Sequence, residues 1–116
     1  MKYLFSLLLL LTTYLAYTQV EAGISAGESY SLFLKTDGTV WATGSNFSGQ
    51  LGNGTNSSEY SPIQVASGIK AIATGRSHSL FLRTDGTVWA TGDNLFGQLG
   101  DGTTTDRNTL YKLLLE

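Results

Sequence analysis

One nine-residue stretch occurs twice in this chain: Thr36-Asp37-Gly38-Thr39-Val40-Trp41-Ala42-Thr43-Gly44 returns unchanged as Thr84 to Gly92. The similarity extends beyond this stretch. A shift of 48 residues aligns Ile24–Thr55 with Ile72–Thr103, and 23 of these 32 positions are identical. A second shared block, Gly49–Gly52, returns as Gly97–Gly100. Self-similarity at a fixed period indicates a protein built from repeated structural units. We therefore predict two copies of one unit.

Each unit is expected to contain a β-hairpin centred on the Asp-Gly pair. Asp37 and Gly38 lie between two apolar segments, and Asp-Gly is typical of a two-residue type I′ turn, in which both residues have positive φ. A loop of these two residues would place Leu34 opposite Trp41 across the hairpin. The neighbouring pair would then be Phe33 and Ala42.

The hairpins are apolar on both faces. Leu32–Leu34 and Leu80–Leu82 are runs of three apolar residues, and successive side chains of a strand point to opposite faces. Further strands are expected at Ile69–Ala73 and Pro62–Val65, with the proline at the first position of an edge strand. The sequence thus predicts an all-β fold with about four strands in each unit.

Composition excludes several classes of protein. The chain has 116 residues, a net charge of -2 and no cysteine. It is therefore one small domain without disulfides, and it lacks the basic face that nucleic-acid binding requires. Its 14 glycines against one proline favour a fold with many tight turns.

Residues 1–22 have the pattern of a helical secretion signal peptide. Lys2 precedes an apolar segment from Leu4 to Tyr17 that is short for a membrane span. Small residues place cleavage after Ala22 or after Thr18. We expect a secreted, periplasmic or cell-surface protein without stable membrane insertion once the signal is removed. The alternative is an N-terminal membrane anchor. The remaining chain divides into repeats at residues 23–71 and 72–116.

The repeated unit resembles the regulator-of-chromosome-condensation repeat. The residues on its pattern include His78, Asp85-Gly86, Trp89, Asn94 and Gly97–Gly100, whereas Tyr30 stands in the first copy where the family usually has His. The resemblance implies blades of a β-propeller, each with four antiparallel strands, with about seven blades in the complete ring. Here the sequence supplies two, hence a partial propeller.

Two blades leave apolar faces uncovered, and a stable array of such repeats normally needs at least three units. Either identical chains associate to complete a propeller, or the sequence is a fragment of a larger one. The second repeat ends soon after Leu110–Leu113, the counterpart of Pro62–Val65. That ending favours the fragment.

The loops that follow the conserved hairpins are the expected source of specificity. Between the shared glycines, residues 45–48 differ from residues 93–96, so an invariant frame carries a variable apolar insert. The candidate partner-binding residues are Asn46, Phe47, Asn94, Leu95 and Phe96. The alternative role for Phe47, Leu95 and Phe96 is to cover the edge of a blade.

No catalytic constellation is evident. His78 is the only histidine and lacks a convergent nucleophile, and Asp37 and Asp85 have a sufficient role in their turns. We expect no enzymatic activity, no cofactor and no metal site. The leading hypothesis is an exported scaffold for an unknown protein partner; the alternatives are a carbohydrate or cell-wall binder and, less favoured, a regulator that promotes guanine nucleotide exchange.

Overall fold

The computed structural model of this protein describes residues 20–115, and it confirms the all-β prediction. The signal peptide expected at residues 1–22 lies almost entirely outside these residues. In the described part, no helix is long and apolar enough to cross a membrane. The eight strands are β1 (Gly23–Ala26), β2 (Tyr30–Leu34), β3 (Val40–Gly44), β4 (Glu59–Ala66), β5 (Ile69–Thr74), β6 (His78–Arg83), β7 (Val88–Gly92) and β8 (Arg107–Lys112).

The strands form two antiparallel sheets of four, in the orders β1-β2-β3-β4 and β5-β6-β7-β8. Every strand pairs with its sequence neighbour, so each sheet is a meander made by one repeat. The chain passes between the sheets at residues 67–68, because β5 already begins at Ile69. The boundary expected between residues 71 and 72 falls inside that strand.

The hairpin register differs from the predicted one. Leu34 pairs with Val40 and Phe33 pairs with Trp41, so the loop spans residues 35–39 and not two residues. Gly38 has a φ of 83°, but no residue other than glycine has positive φ in the described chain, which excludes a type I′ turn. The Asp37 carboxylate explains this, because it accepts hydrogen bonds from the Thr39 N–H at 2.9 Å and the Thr39 hydroxyl at 2.6 Å.

Pro62 lies in an edge strand, as expected, but it is the fourth residue of β4 and not the first. The pairing of β3 with β4 shifts register between Ala42, which faces Ile63, and Gly44, which faces Glu59. The proline falls within this irregular segment. Its missing N–H is tolerated there because a bulged edge strand leaves some backbone groups outside the ladder.

The hydrophobic core lies between the two sheets. On β2 the buried residues alternate, with Tyr30, Leu32 and Leu34 facing inward. On β6 the register is opposite, and Ser79 and Phe81 are the fully buried residues. Each sheet therefore uses a different face for the contact, and each also has an apolar open face. The expectation that these hairpins are apolar on both faces is confirmed.

The Gly-Gln-Leu-Gly block of the first repeat joins the sheets a second time. Leu51 is fully buried in the shared core. Close by, the N–H of Gly54 donates to the Asn108 carbonyl at 2.7 Å, and Asn53 forms an isolated antiparallel bridge with Thr109 of β8. The long loop of the first repeat is therefore held against the second sheet.

Candidate binding surface at the loop end

Four connections of the two sheets lie at one end of the molecule. In an antiparallel meander, the turn before the second strand and the loop after the third lie at the same end. These connections are residues 27–29 and 45–58 in the first repeat and residues 75–77 and 93–106 in the second. We call this the loop end. The hairpin turns at residues 35–39 and 84–87 lie at the opposite end.

Asn46 and Asn94, both candidate partner contacts, are fully buried. The side-chain nitrogen of Asn94 donates to the carbonyls of Thr103 at 3.0 Å and Thr105 at 2.9 Å, and its oxygen accepts from the Leu99 N–H at 3.0 Å. Asn46 makes the same set of bonds in the first loop. A partner cannot reach either side chain, so both have a structural role that replaces the expected contact.

The three apolar candidates are all at the surface. Phe47 is 81% exposed, Leu95 64% and Phe96 87%. Each follows a buried asparagine directly or by one position, so the backbone that carries it is fixed. Burying such side chains against a partner would remove large apolar areas from water.

The structure brings Leu95 and Phe96 to one open cleft of about 510 Å³. Phe47 does not line this cleft and belongs to the neighbouring loop. The cleft also has charged groups of both signs, from the turns of both repeats. Its lining residues are Glu28, Arg76, Ser77, His78, Asp93, Leu95, Phe96 and Gln98.

Two residues that position this surface were not among the candidate partner-binding residues. The amide of Gln98 accepts a hydrogen bond from the Phe96 N–H at 2.9 Å and donates to the Asp93 carboxylate at 3.0 Å, which holds the Leu95–Phe96 turn. The sequence signal was available, because the glutamine is identical in both copies.

Tyr30 is the second of these residues. Its hydroxyl donates to the His78 carbonyl and contacts the Ser79 hydroxyl across the sheets. Burial raises the pKa of Tyr30, with a smaller opposing effect of the bond from Ser79. Tyr30 thus links the first sheet to the base of the cleft.

The remaining candidates have structural roles. Trp41 and Trp89 are half-buried on the sheets, where each indole N–H donates to a threonine hydroxyl, and Arg83 lies over the Trp89 ring at 4.0 Å. Asp85 repeats the turn contacts of Asp37. Among residues 20–115, no group of three acidic or histidine side chains is placed to hold a metal ion.

Acid should destabilise the second loop through Asp101. Hydrogen bonds from Thr103, together with one from Arg107, hold the pKa of Asp101 well below its usual value. A carboxyl whose pKa is lowered by folding stabilises the protein fully above the ordinary pKa of about 4, and this contribution is lost as pH falls through the folded value. We expect the melting temperature to fall between pH 5 and pH 2, as measured by circular dichroism.

Asp101→Asn is the matched control, because Asn53 occupies this position in the first repeat and accepts the same bonds from Thr55. The variant should fold and lose part of the acid sensitivity; Asp37 and Asp85, whose pKa values are also lowered by their threonines, retain the rest. Identical pH profiles for the two proteins would contradict the role of Asp101.

Comparison with known proteins agrees with this architecture. The family model for the Regulator of chromosome condensation (RCC1) repeat matches residues 22–50 and 69–98, and another model of the same description matches residues 37–82. No curated relative matches the chain by sequence.

Three solved structures share the fold. Human WBSCR16 is 27% identical with a TM-score of 0.74, over 84% of this chain and 26% of that one. A chain in the structure of Kap60 bound to yeast RCC1 (Prp20) is 25% identical with a TM-score of 0.71, over 84% and 24%. Prp20p from Saccharomyces cerevisiae, described with its binding to Gsp1p and histones, is 19% identical with a TM-score of 0.74, over 83% and 26%.

This chain therefore spans about a quarter of the length of these solved chains. The two sheets correspond to two blades of a β-propeller. With just over half of its residues matched by the first model, the chain belongs to the regulator of chromosome condensation (RCC1) repeat family.

Proposed function

We propose that this protein is a protein-interaction module and that its partner binds at the loop end. The observation that carries the proposal is the exposure of Leu95 and Phe96, 64% and 87%, on a loop anchored by buried bonds. Fixed aromatic groups are favoured anchors of protein interfaces because little conformational entropy is lost when they bind. The two blades supply part of a propeller surface.

The family relationship supports a protein partner in general terms. One similar structure contains Kap60 bound to yeast RCC1, and another is described with binding to Gsp1p and histones. Those partners belong to those proteins. In this chain the mixed charges of Glu28, Arg76 and Asp93 beside the apolar pair favour a protein surface of mixed polarity over a nucleic acid.

Photo-cross-linking at Phe96 tests this proposal. With a photoreactive phenylalanine analogue at position 96, we expect an adduct with one protein that mass spectrometry identifies. The same analogue at Thr84, which is exposed at the opposite end of the second blade, is the control and should not capture that protein. Phe96→Ala should then weaken binding of the identified protein by about 30-fold or more, as expected for an interface anchor.

Carbohydrate binding is the second candidate, supported by the same exposed rings, on which a sugar could stack. A glycan array distinguishes the two: binding that Phe47→Ala or Phe96→Ala abolishes, without a protein adduct at position 96, would overturn the proposal in favour of a sugar. We do not propose enzymatic activity or nucleotide exchange.

We also propose that the chain is exported and that its signal is cleaved after Thr18. Val20 is only 8% exposed and belongs to the core cluster that joins the two blades. Cleavage after Ala22 would remove it, at a cost of about 1.5–3 kcal/mol. We expect mass spectrometry of the exported protein to find Gln19 as the first residue. A mature chain that begins at Gly23, or one that retains its signal, would contradict this.

A further inference from the structure

Each blade has one packed face and one open face, and the open faces are not alike. In the first blade the packed face contains Leu32, Leu34 and Val40, all buried. Their counterparts 48 residues later, Leu80, Leu82 and Val88, are half-buried on the open face of the second blade. There they line a shallow apolar groove of about 120 Å³.

The open face of the first blade shows the converse. It contains Phe33 and Trp41, both half-buried, together with Ile24, which is 83% exposed, and Tyr60 at the edge, which is 98% exposed. The counterparts of Phe33, Trp41 and Ile24 in the second blade are Phe81, Trp89 and Ile72, and these pack in the core between the blades.

The geometry points to a specific contact between copies of this chain: the open face of the second blade binds the open face of the first blade of another copy. The open face of the second blade carries the counterparts of the packed face of the first blade. The open face of the first blade likewise carries the counterparts of the packed face of the second blade. The new contact therefore repeats the internal one, with every residue replaced by its counterpart in the other repeat.

Charge is complementary at this contact. Within the chain, Arg76 lies 2.7 Å from Glu28, and these two residues are counterparts in the 48-residue shift. Between copies, Arg76 would therefore meet Glu28 of the next chain. An exposed pair of this kind contributes little affinity, but opposite charges avoid the repulsion that would disfavour the arrangement.

The space for a further blade is open. A methyl group placed on Gly49 would lie 2.5 Å from the Asn108 Cα of the second blade, whereas one placed on the counterpart Gly97 has no neighbour closer than 3.9 Å. The carbonyl of Gly38 accepts a bond from the Ile69 N–H at 3.0 Å. Gly86 is the counterpart of Gly38 in the second blade, and a methyl group placed on Gly86 would have no neighbouring atom within 4 Å.

The match departs from the internal contact at several positions, including the core residue Tyr30, whose counterpart is His78. One of these departures introduces a charge. Ile69 is fully buried between the blades, and its counterpart is Glu21. A carboxylate at an apolar contact costs free energy of desolvation. The contact between copies is therefore weaker than the one within the chain. Because it joins separate chains, it also depends on protein concentration.

A contact between two different faces propagates from head to tail and ends when a ring closes. Propellers usually have about four to eight blades. Because the family usually has about seven blades, copies of two blades each come nearest to that number with three or four chains, which gives six or eight blades.

Cysteine cross-linking tests this contact, because the chain has no cysteine of its own. Within the chain, the hydroxyls of Ser25 and Thr74 lie 2.6 Å apart, and the 48-residue shift converts this pair into Ala73 of one copy and Ala26 of the next. We expect full-length Ala73→Cys and Ala26→Cys chains, when mixed and oxidised, to form a disulfide-linked heterodimer. Neither variant should form a homodimer at a comparable rate.

The double variant Ser25→Cys/Thr74→Cys is the reference, because its disulfide should form within one chain. Glu21→Ile should lower the concentration needed for association by at least tenfold, and light scattering should then give three or four times the mass of one chain. A single-chain mass for this variant at every concentration, or homodimers as abundant as the heterodimer, would overturn the proposal.

Discussion

Replacing Phe81 by alanine is expected to lower the free energy of unfolding by about 3–5 kcal/mol. Phe81 is the largest fully buried side chain among residues 20–115, and it lies in the core cluster that joins the two blades. Alanine would leave a cavity there, and the surrounding strands cannot collapse to fill it. Since a small domain has only about 5–15 kcal/mol of stability, urea unfolding followed by tryptophan fluorescence should show a large shift of the midpoint.

Phe33→Ala is the matched control, because Phe33 is the counterpart of Phe81 in the first repeat but lies half-buried on an open face. At a protein concentration that keeps copies apart, its loss should cost clearly less. Equal losses of stability for the two variants would mean that the blades do not pack as described.

Asn46→Ala should be strongly destabilising, by about 3 kcal/mol. The Asn46 amide donates to the carbonyls of Thr55 at 2.8 Å and Ser57 at 3.1 Å, and its oxygen accepts from the Leu51 N–H at 3.0 Å. Alanine leaves the buried Leu51 N–H and the part-buried carbonyls of Thr55 and Ser57 without this partner. Because Leu51 packs in the core, loosening of this loop should also weaken the joint between the blades.

Hydrogen exchange of the Leu51 amide measures this effect directly, and we expect it to accelerate by at least tenfold in the variant. Asn56→Ala is the control. Asn56 also bonds the loop, through the Phe47 carbonyl at 3.1 Å, but it is exposed, so water can replace its bonds. If Asn56→Ala destabilised the protein as much as Asn46→Ala, burial would not be the reason for the role of Asn46.

The architecture could be predicted from the sequence because its signals are local and occur twice. The repeat at 48 residues and the apolar runs at Leu32–Leu34 and Leu80–Leu82 suffice for an all-β meander with two apolar faces. The hairpin register could not be predicted in the same way, because Asp-Gly fits two kinds of turn. The choice depends on the bonds of the Asp37 carboxylate to Thr39, which no pattern of apolar residues encodes.

The exposure of the candidate residues was predicted only in part, and partner binding by them stays a prediction. Phe47, Leu95 and Phe96 are exposed, as expected for positions that differ between the copies. Asn46 and Asn94 were assigned to the same surface because a polar residue in a loop fits either a contact or an internal anchor. Their identity in both copies, beside variable neighbours, was the sign of an anchor. The cleft itself was not foreseen, since turns of both repeats form it.

The five-residue turn between β2 and β3 has a consequence for how the chain finds its fold. The segment Val40–Gly44 is identical to Val88–Gly92, so β2 could pair with either one through the same side chains. The two pairings differ in the length of the loop that must close. Closing a loop of roughly 50 residues to the wrong copy costs about 2 kcal/mol more free energy of loop closure than closing the short turn. Lengthening that turn with a flexible insert should therefore reduce the kinetic preference for correct pairing and increase strand exchange between the repeats.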